Sequence, residues 1–313
     1  MSAPEEGWTK DQIVDRIRAK YEGEGLNPDI FMTGLLWSKP INYWDYINLD
    51  ALLNLQIPRT VFPDEMVFIM YHQINELLFK LILHEIEQVA EHTGINGKFF
   101  KLKLGRISRY FDMLSSSFSI MQEGMEMEQY MRFRNTLSPA SGFQSYQYRL
   151  IELRSTDIEN LIDARYRDDY SDDWPLQEKF RKIYWQAAGV DPHTGEKSYM
   201  LEDFETKYLG KFFKTADQYE DRNLYAIYHQ LVDKEGEDET VKDMMRHLDW
   251  TINVKWVMAH YNAAYHYLNS GKKKAEATGG SAWEKYMHPK YQKRIFFPSV
   301  WTDEEIENWG EGL

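Results

Sequence analysis

Two histidines in apolar, helical surroundings are the first residues of this sequence whose types and spacing suit chemistry. His72 lies within residues 68–80, and Phe68, His72 and Glu76 recur at intervals of four, so they share one helix face. A histidine among large apolar side chains is costly to bury unless it has a hydrogen-bond partner. This segment alone favours a satisfied core histidine, and a ligand-facing histidine is the alternative.

A tyrosine and an arginine at helical spacing form a second candidate site. Tyr130 and Arg134 are four residues apart, so a phenol and a guanidinium can meet one anion. The planar fork of arginine suits a carboxylate, which it binds through two parallel hydrogen bonds. Ser138-Pro139 ends this helix, and Ser141 can cap the next one, whose first N–H groups also attract anions. A surface arginine, a proline break and an ordinary cap explain the same residues equally well.

The second histidine, His260, follows Trp256 by one turn of a long predicted helix. Small alanines one turn further along leave room for a flat cofactor, although alanine is also simply a good helix former. A polar stretch then leads to Thr278 and Gly279, where glycine lets a loop approach a ligand and threonine offers a hydroxyl. A core histidine and a flexible linker are the alternatives here.

Composition narrows the chemistry that these residues can perform. The chain has no cysteine, which excludes disulfides and iron–sulfur clusters and leaves His, Tyr, Met or carboxylates to bind any iron. The net charge of −13 argues against nucleic acid or an anionic membrane as a partner. Residues 1–12 lack the apolar core of a secretory signal, and polar residues interrupt the apolar stretch 66–83. We therefore expect a cytoplasmic protein without a membrane span.

The elements that must position these residues are all predicted to be helices. Thr9 and Gln12 form a capping-box pattern, and Asp64 can cap the long helix that carries His72. Apolar residues recur at helical spacing, without the alternation typical of strands, while residues 23–40 resemble an ordered arm or loop. The sequence predicts an all-α fold with helices at about 9–21, 64–94, 100–123, 127–136, 142–153, 174–188, 200–214, 219–233 and 237–268.

One large domain is the simplest organisation for residues 1–313. Residues near 155–235 are richer in charge and tyrosine than the rest of the chain. We therefore expect a single all-helical domain with a helical insertion at about 155–235.

Taken together and in order, these segments resemble the tryptophan 2,3-dioxygenase family over nearly the whole chain. The run Ser141-Gly-Phe-Gln-Ser145, continued by Gln147-Tyr-Arg149, is long and specific. The other matching stretches are residues 42–53, 64–77, 133–134, 256–260, 278–281 and 294–301. The resemblance implies an all-helical bundle that holds haem b through a histidine.

The resemblance also implies a role for each candidate residue. His260 matches the proximal haem ligand, and His72 matches the distal histidine that faces the indole nitrogen. Phe68 matches a ring that packs against the substrate. Tyr130 and Arg134 match the pair that grips the amino-acid carboxylate.

Further positions match the cofactor edge and the substrate lid. The resemblance implies that Ser141, Trp256 and Gly279 take part in cofactor binding, Ser141 near a haem propionate and the substrate ammonium. Thr278 matches the loop hydroxyl that helps to close over the substrate.

The implied partners are a small-molecule substrate and further copies of the chain. Tyr43 and Tyr46 match tyrosines that reach into a neighbouring subunit, which implies a homotetramer. The implied reaction adds O2 across the indole C2–C3 bond of L-tryptophan and gives N-formyl-L-kynurenine, the first step of the kynurenine pathway. The alternatives are a related haem monooxygenase acting on a substituted indole or other aromatic, and a non-catalytic haem-binding sensor.

The chain departs from the family pattern near the cofactor and the lid. Residues 257–259 (Val-Met-Ala) stand where the family usually has arginines, and residues 282–284 (Ala-Trp-Glu) replace a small, glycine-bearing stretch. His266 is a rival for the iron, although the spacing from Trp256 favours His260.

Overall fold

Helices make up 72% of the structure and strands 1%. The computed structural model describes residues 7–137, 142–191, 194–269 and 288–312. Within those ranges, extended pairing is limited to isolated bridges between single residues, so the predicted all-α fold is confirmed. The chain divides into two compact units, Met1–Gln56 and Ile57–Leu313. A compact unit is not necessarily a separate domain, so the expected single domain with an insertion at 155–235 stays a prediction.

The first unit opens with α1 (Lys10–Gly23). The Gln12 backbone N–H donates to Thr9 Oγ1 at 3.3 Å, and the Thr9 backbone N–H donates to Gln12 Oε1 at 2.9 Å. This reciprocal pair is the capping box that the sequence predicts, and it satisfies N–H groups that the first turn would leave unpaired.

The second helix, α2 (Pro28–Trp37), shows that the prediction of an arm or loop at residues 23–40 is wrong. The Asn27 side chain accepts a hydrogen bond from the Asp29 backbone N–H at 2.9 Å, and Pro28 stands at the first helical position. Asparagine and proline begin a helix here, because the N–H that proline lacks is unpaired in a first turn anyway. The short helices α3 (Tyr43–Tyr46) and α4 (Leu49–Leu52) follow.

Two long helices, α5 (Asp64–Glu91) and α6 (Gly97–Ser116), pack together in the core of the second unit. Their buried apolar side chains include Leu78, Ile82, Ile86, Phe100, Leu104, Ile107 and Phe111. An ion pair crosses this core, since Lys103 Nζ lies 2.6 Å from Glu85 Oε2. Among the described helices, only α5 is long and apolar enough by length and composition to cross a membrane. The same length and composition suit a helix whose apolar side packs into a protein core.

The start of α5 differs from the prediction. Asp64 was expected to cap the helix, but Pro63 occupies the cap position and no side-chain cap forms. Asp64 instead accepts a hydrogen bond from the backbone N–H of Glu126, at 2.6 Å from Asp64 Oδ2. The carboxylate therefore joins α5 to a distant turn, a contact that local spacing does not reveal.

The remaining helices complete the second unit. The predicted helix at 100–123 is two helices, because α6 ends at Ser116 and α7 (Phe118–Glu123) begins after Ser117. Helix α8 (Met127–Phe133) continues into a 3-10 turn, Arg134–Leu137. The others are α9 (Tyr146–Ser155), α10 (Leu176–Arg181), α11 (Tyr199–Tyr219), α12 (Leu224–Glu235), α13 (Glu239–Trp250), α14 (Trp256–Asn269), α15 (Pro289–Gln292) and α16 (Asp303–Glu307).

A π-helical turn, Thr251–Lys255, joins α13 to α14 and interrupts the predicted helix at 237–268. Leu248 and Tyr267 are both buried, yet a straight α-helix would leave side chains at this spacing about 100° apart. A π-turn holds one extra residue and removes that offset. Continued past the turn, the helical spacing of apolar residues predicts Ala264 on the buried face, but Ala263 and Tyr267 are the residues buried there.

Candidate histidine-lined cleft

His72 on α5 and His260 on α14 lie within electrostatic reach of each other. Burial, followed by the positive charge that His72 can carry, lowers the pKa of His260 to about 4. Burial also lowers the pKa of His72, although its side chain is accessible to solvent. A side chain that reaches solvent and is still surrounded by protein lines a recess. The recess to which His72 and His260 belong is called the cleft below. Both imidazoles are neutral at pH 7, the form in which histidine binds a metal or accepts a hydrogen bond.

The backbone sets which nitrogen of His72 carries its proton. Nδ1 lies 2.7 Å from the carbonyl oxygen of Phe68. A carbonyl can only accept, so Nδ1 is the donor and Nε2 of the neutral ring is left as an acceptor. The ring of Phe68 lies 4.1 Å from the imidazole, centroid to centroid. His72 can therefore accept an N–H group presented beside an aromatic face.

Glu76, one turn beyond His72, bonds to side chains near the start of α9. Its carboxylate accepts hydrogen bonds from Ser145 Oγ at 2.8 Å and from Gln147 Nε2 at 2.7 Å. Ser145 also caps α9, because its side chain accepts from the Tyr148 backbone N–H. These contacts join the His72 helix to the beginning of α9 and hold Ser145 and Gln147 against α5.

His260 packs among flat and small side chains. The ring of Phe118 is nearly parallel to the imidazole, with centroids 5.5 Å apart and planes inclined by 16°. Ala263, one turn along α14, is buried beside Phe118, and Ala259 packs against the same cluster. Small residues on the helix next to a neutral histidine leave space for a planar group, as the sequence suggested for this helix.

Tyr130, which is half-buried, and Arg134, which is buried, form a polar pair near Phe68. Arg134 is only 7% exposed. Burial raises the pKa of Tyr130, and the charge and hydrogen bond of Arg134 oppose that rise, so the phenol stays protonated beside the guanidinium. The Tyr130 ring lies 6.3 Å from that of Phe68. The fold therefore brings Phe68, His72, Tyr130 and Arg134 into one neighbourhood, and this arrangement suits an aromatic ligand that carries an anionic group.

Trp256 forms part of the wall behind His260. Its ring lies 6.2 Å from the His260 imidazole and 4.8 Å from the ring of Tyr148 on α9. The buried indole N–H of Trp256 has no acceptor among the described residues. A buried donor without an acceptor is costly, so this group fits a site where a polar edge of a bound molecule completes the hydrogen bonding.

Not all predicted site residues can be placed in this cleft. Ser141, Thr278 and Gly279 lie outside the described residues. Tyr43 and Tyr46 belong to the first unit, where each side chain is 73% exposed.

The rival ligand His266 differs from His260 in both direction and exposure. It follows His260 by six residues on α14, which turns it about 120° around the helix. His266 is exposed, whereas His260 is half-buried against Phe118. The geometry therefore favours His260 as the histidine that faces the cleft.

Several residues of the cleft were not found from the sequence. Phe118, Tyr71 and Phe133 share its apolar wall with Tyr267. Phe118 and His260 lie far apart in the chain, so no spacing rule connects them. Tyr267 lies two helical turns after His260, and helical periodicity could have identified it, had the π-turn not displaced the predicted face.

The fold and this cleft define an all-α protein with neutral histidines from two helices and an anion-binding pair beside them. The profile of the tryptophan 2,3-dioxygenase family matches residues 35–278. The chain belongs to this family, which confirms the resemblance inferred from its motifs.

Curated relatives named tryptophan 2,3-dioxygenase match at two scales. A protein of Ruegeria sp. strain TM1040 is 46% identical over 114 residues, which cover 36% of this chain and 40% of the relative. Proteins of Polaromonas sp. strain JS666 and Exiguobacterium sibiricum are 29% and 28% identical, each over 85% of this chain and over 87% and 92% of their own lengths. The more identical match thus spans only about two-fifths of the Ruegeria relative, and the longer ones span nearly whole proteins.

Proposed function

We propose that this protein is a haem-dependent dioxygenase that opens the indole C2–C3 bond of L-tryptophan with O2 and yields N-formyl-L-kynurenine. The observation that carries the proposal is the nearness of His260 and His72 on separate helices, with Tyr130 and Arg134 beside them. The names of the family and of the relatives supply the substrate and the reaction. We place the protein in the cytoplasm and at the first step of the kynurenine pathway.

The residues around His260 fit haem b. A neutral imidazole can bind iron directly, and the small side chains of Ala259 and Ala263 leave space for a planar ring. The N–H of Trp256, for which the described part of the chain supplies no acceptor, fits a polar edge of such a group. Bound haem would supply the iron that lets ground-state O2 react with a closed-shell indole. Ser141 and Gly279 complete the proposed cofactor contacts, as the resemblance implies.

The protein itself would hold and orient the substrate. Arg134 would bind the carboxylate through two parallel hydrogen bonds, with the Tyr130 hydroxyl as a further donor. Nε2 of His72 would accept the indole N–H, and Phe68 would pack against the indole ring. His72 thus acts by orientation rather than as an obligatory base. Holding O2 and the indole in a fixed orientation would increase the reaction rate. The loop that carries Thr278 would close over them, as the resemblance implies.

We also propose that the working form is a homotetramer in which Tyr43 and Tyr46 reach a neighbouring subunit. The first unit exposes many large apolar side chains, including Ile30, Leu35, Leu36, Trp37, Tyr43 and Tyr46. Many large apolar side chains exposed in one compact unit are typical of a surface that contacts another protein. Light scattering of the haem-loaded protein tests this directly, and a monomeric mass would contradict it.

The reaction is tested by reducing the haem-loaded protein without oxygen and then adding O2 with L-tryptophan. We expect the absorbance of N-formyl-L-kynurenine to rise and, with 18O2, two labelled oxygens to enter the product. One labelled oxygen would indicate the monooxygenase alternative. A haem spectrum without turnover would indicate the binding or sensing alternative.

A further inference from the structure

We propose that Tyr267 is a positioning residue that sets the carboxylate-binding pair, Tyr130 and Arg134, relative to His260. This inference rests on the proposed function and adds a residue that neither the family motifs nor the residue spacing assigns to the site. Tyr267 would not touch the substrate, and it would act through Tyr130.

The contacts of Tyr267 fasten α14 to the end of α7 and the turn that follows. Its side chain is 3% exposed. The hydroxyl donates to the carbonyl of Met121 and lies 3.3 Å from the carbonyl of Met125. Burial is the largest cause that raises the pKa of Tyr267 to about 12, so the hydroxyl keeps its proton at neutral pH. Since His260 lies two turns earlier on α14, these hydrogen bonds join the His260 helix to that turn.

The same turn is also fastened to the helix that carries His72. The Glu126 backbone N–H donates to Asp64 Oδ2 at 2.6 Å, and the Asp64 backbone N–H donates to Gln129 Oε1 at 3.2 Å. Asp64 is the first residue of α5. The beginning of α8, one turn before Tyr130, is thus held from α5 on one side and from α14 on the other.

Tyr267 also supports the ring of Tyr130 directly. The two ring centroids are 4.3 Å apart, closer than the 6.3 Å between Tyr130 and Phe68. The Tyr130 hydroxyl interacts with Arg134. If the Tyr267 ring or its two anchoring hydrogen bonds were lost, Tyr130 could shift away from Arg134. Such a shift would weaken the grip on a carboxylate and leave the indole contacts of Phe68 and His72 unchanged.

The test compares Tyr267→Phe with Tyr265→Phe, a matched control on the exposed side of the same helix. Dissociation constants are measured from haem absorbance changes in the loaded protein. L-tryptophan and indole-3-propionate carry the carboxylate, and tryptamine and indole lack it. For Tyr267→Phe we expect the dissociation constants of the two carboxylates to rise about tenfold, which is about 1.4 kcal/mol, and those of the other two to change less than twofold.

The outcomes separate this inference from the proposed function. Equal weakening of all four ligands, or no weakening of any, would contradict the role of Tyr267. A wild-type protein that binds haem but no L-tryptophan would contradict the proposed function, and with it this inference. Tyr267→Leu, which also removes the ring, should give a larger loss for the carboxylates alone, and thermal unfolding verifies that each variant folds.

Discussion

The imidazole of His260 lies nearly parallel to the ring of Phe118, with centroids 5.5 Å apart. Phe118 begins α7 and also contacts Tyr71 of α5, with ring centroids 5.7 Å apart. This contact limits how far the imidazole can turn on α14. A metal-binding histidine must present one nitrogen in a set direction. The ring of Phe118 therefore helps to fix the orientation of the proposed iron ligand, His260.

Phe118→Leu should loosen the proposed ligand. Without the flat ring, His260 can turn more freely, and we expect haem to dissociate about threefold to tenfold faster, roughly 0.6–1.4 kcal/mol. The rate is measured by transfer of haem to excess apo-globin. Phe180→Leu is the control, because Phe180 is also buried but packs against Phe213, away from the cleft. Equal acceleration in both variants would count against a specific role for Phe118.

His260→Ala should abolish the histidine-ligated haem spectrum, because no other described histidine on α14 faces the cleft. His266→Ala should leave the spectrum unchanged, since His266 is exposed and points about 120° away. Absorbance and low-temperature electron paramagnetic resonance of the ferric protein decide between them. If His266→Ala abolished the spectrum and His260→Ala left it unchanged, His266 would be the iron ligand.

Arg134→Leu should weaken substrate binding by on the order of 2–5 kcal/mol, the range for removing one partner of a buried charged pair. The loss should appear in kcat/KM for L-tryptophan. Arg132→Leu is a suitable control, because Arg132 is exposed and its ion pair with Glu128, one turn earlier, lies at the surface. Steady-state constants that are unchanged in Arg134→Leu would remove this residue from the site.

Deletion of Lys255 should leave His260 in place. A π-turn holds one residue more than an α-turn, so losing one residue lets the helix become regular without rotating α14. Lys255 is the exposed residue of this turn, and it pairs with Asp112 at the surface at 2.7 Å. We expect the haem spectrum to survive this deletion. An alanine inserted after Lys255 should rotate α14 by about 100° and abolish it; identical spectra in both variants would contradict this account.

The carboxylate of Glu85 should make the free energy of unfolding decrease as the pH falls below about 4.5. Burial would raise its pKa, but the hydrogen bond and charge of Lys103, and then of Arg106, outweigh burial and hold the pKa below its usual value. Such a group stabilises the fold above its unfolded pKa, near 4.5, and the contribution disappears as the pH falls through the lower folded pKa.

Glu85→Gln therefore tests that contribution. It should cost about 3–5 kcal/mol at pH 7, because Lys103 is left charged and buried. Urea unfolding between pH 7 and pH 4 should show the difference from wild type beginning to narrow at the acid end. A difference in the free energy of unfolding that stays constant over this pH range would contradict the lowered pKa of Glu85.

Much of the local structure follows from neighbouring residues alone. The capping box of Thr9 and Gln12 and the shared face of Phe68 and His72 depend on interactions within one turn of helix, which spacing describes well. The same reasoning gave the wrong prediction for residues 23–40, because Asn27-Pro28 was interpreted as a break and in fact begins a helix.

Tertiary structure alone decided which of these local pieces face one another. The stack of Phe118 on His260, the bond from Glu126 to Asp64 and the support of Tyr130 by Tyr267 all join residues far apart in the chain. Local periodicity sets the direction of a side chain around its own helix, but not the packing partner of that helix. The π-turn before Trp256 rotates the buried face of α14 by about 100°, and the hydrophobic pattern of the sequence does not predict this rotation. The amino-acid sequence by itself determined most of the helices, the chemistry-bearing residue types and the family resemblance, whereas packing between helices brought those residues into one cleft.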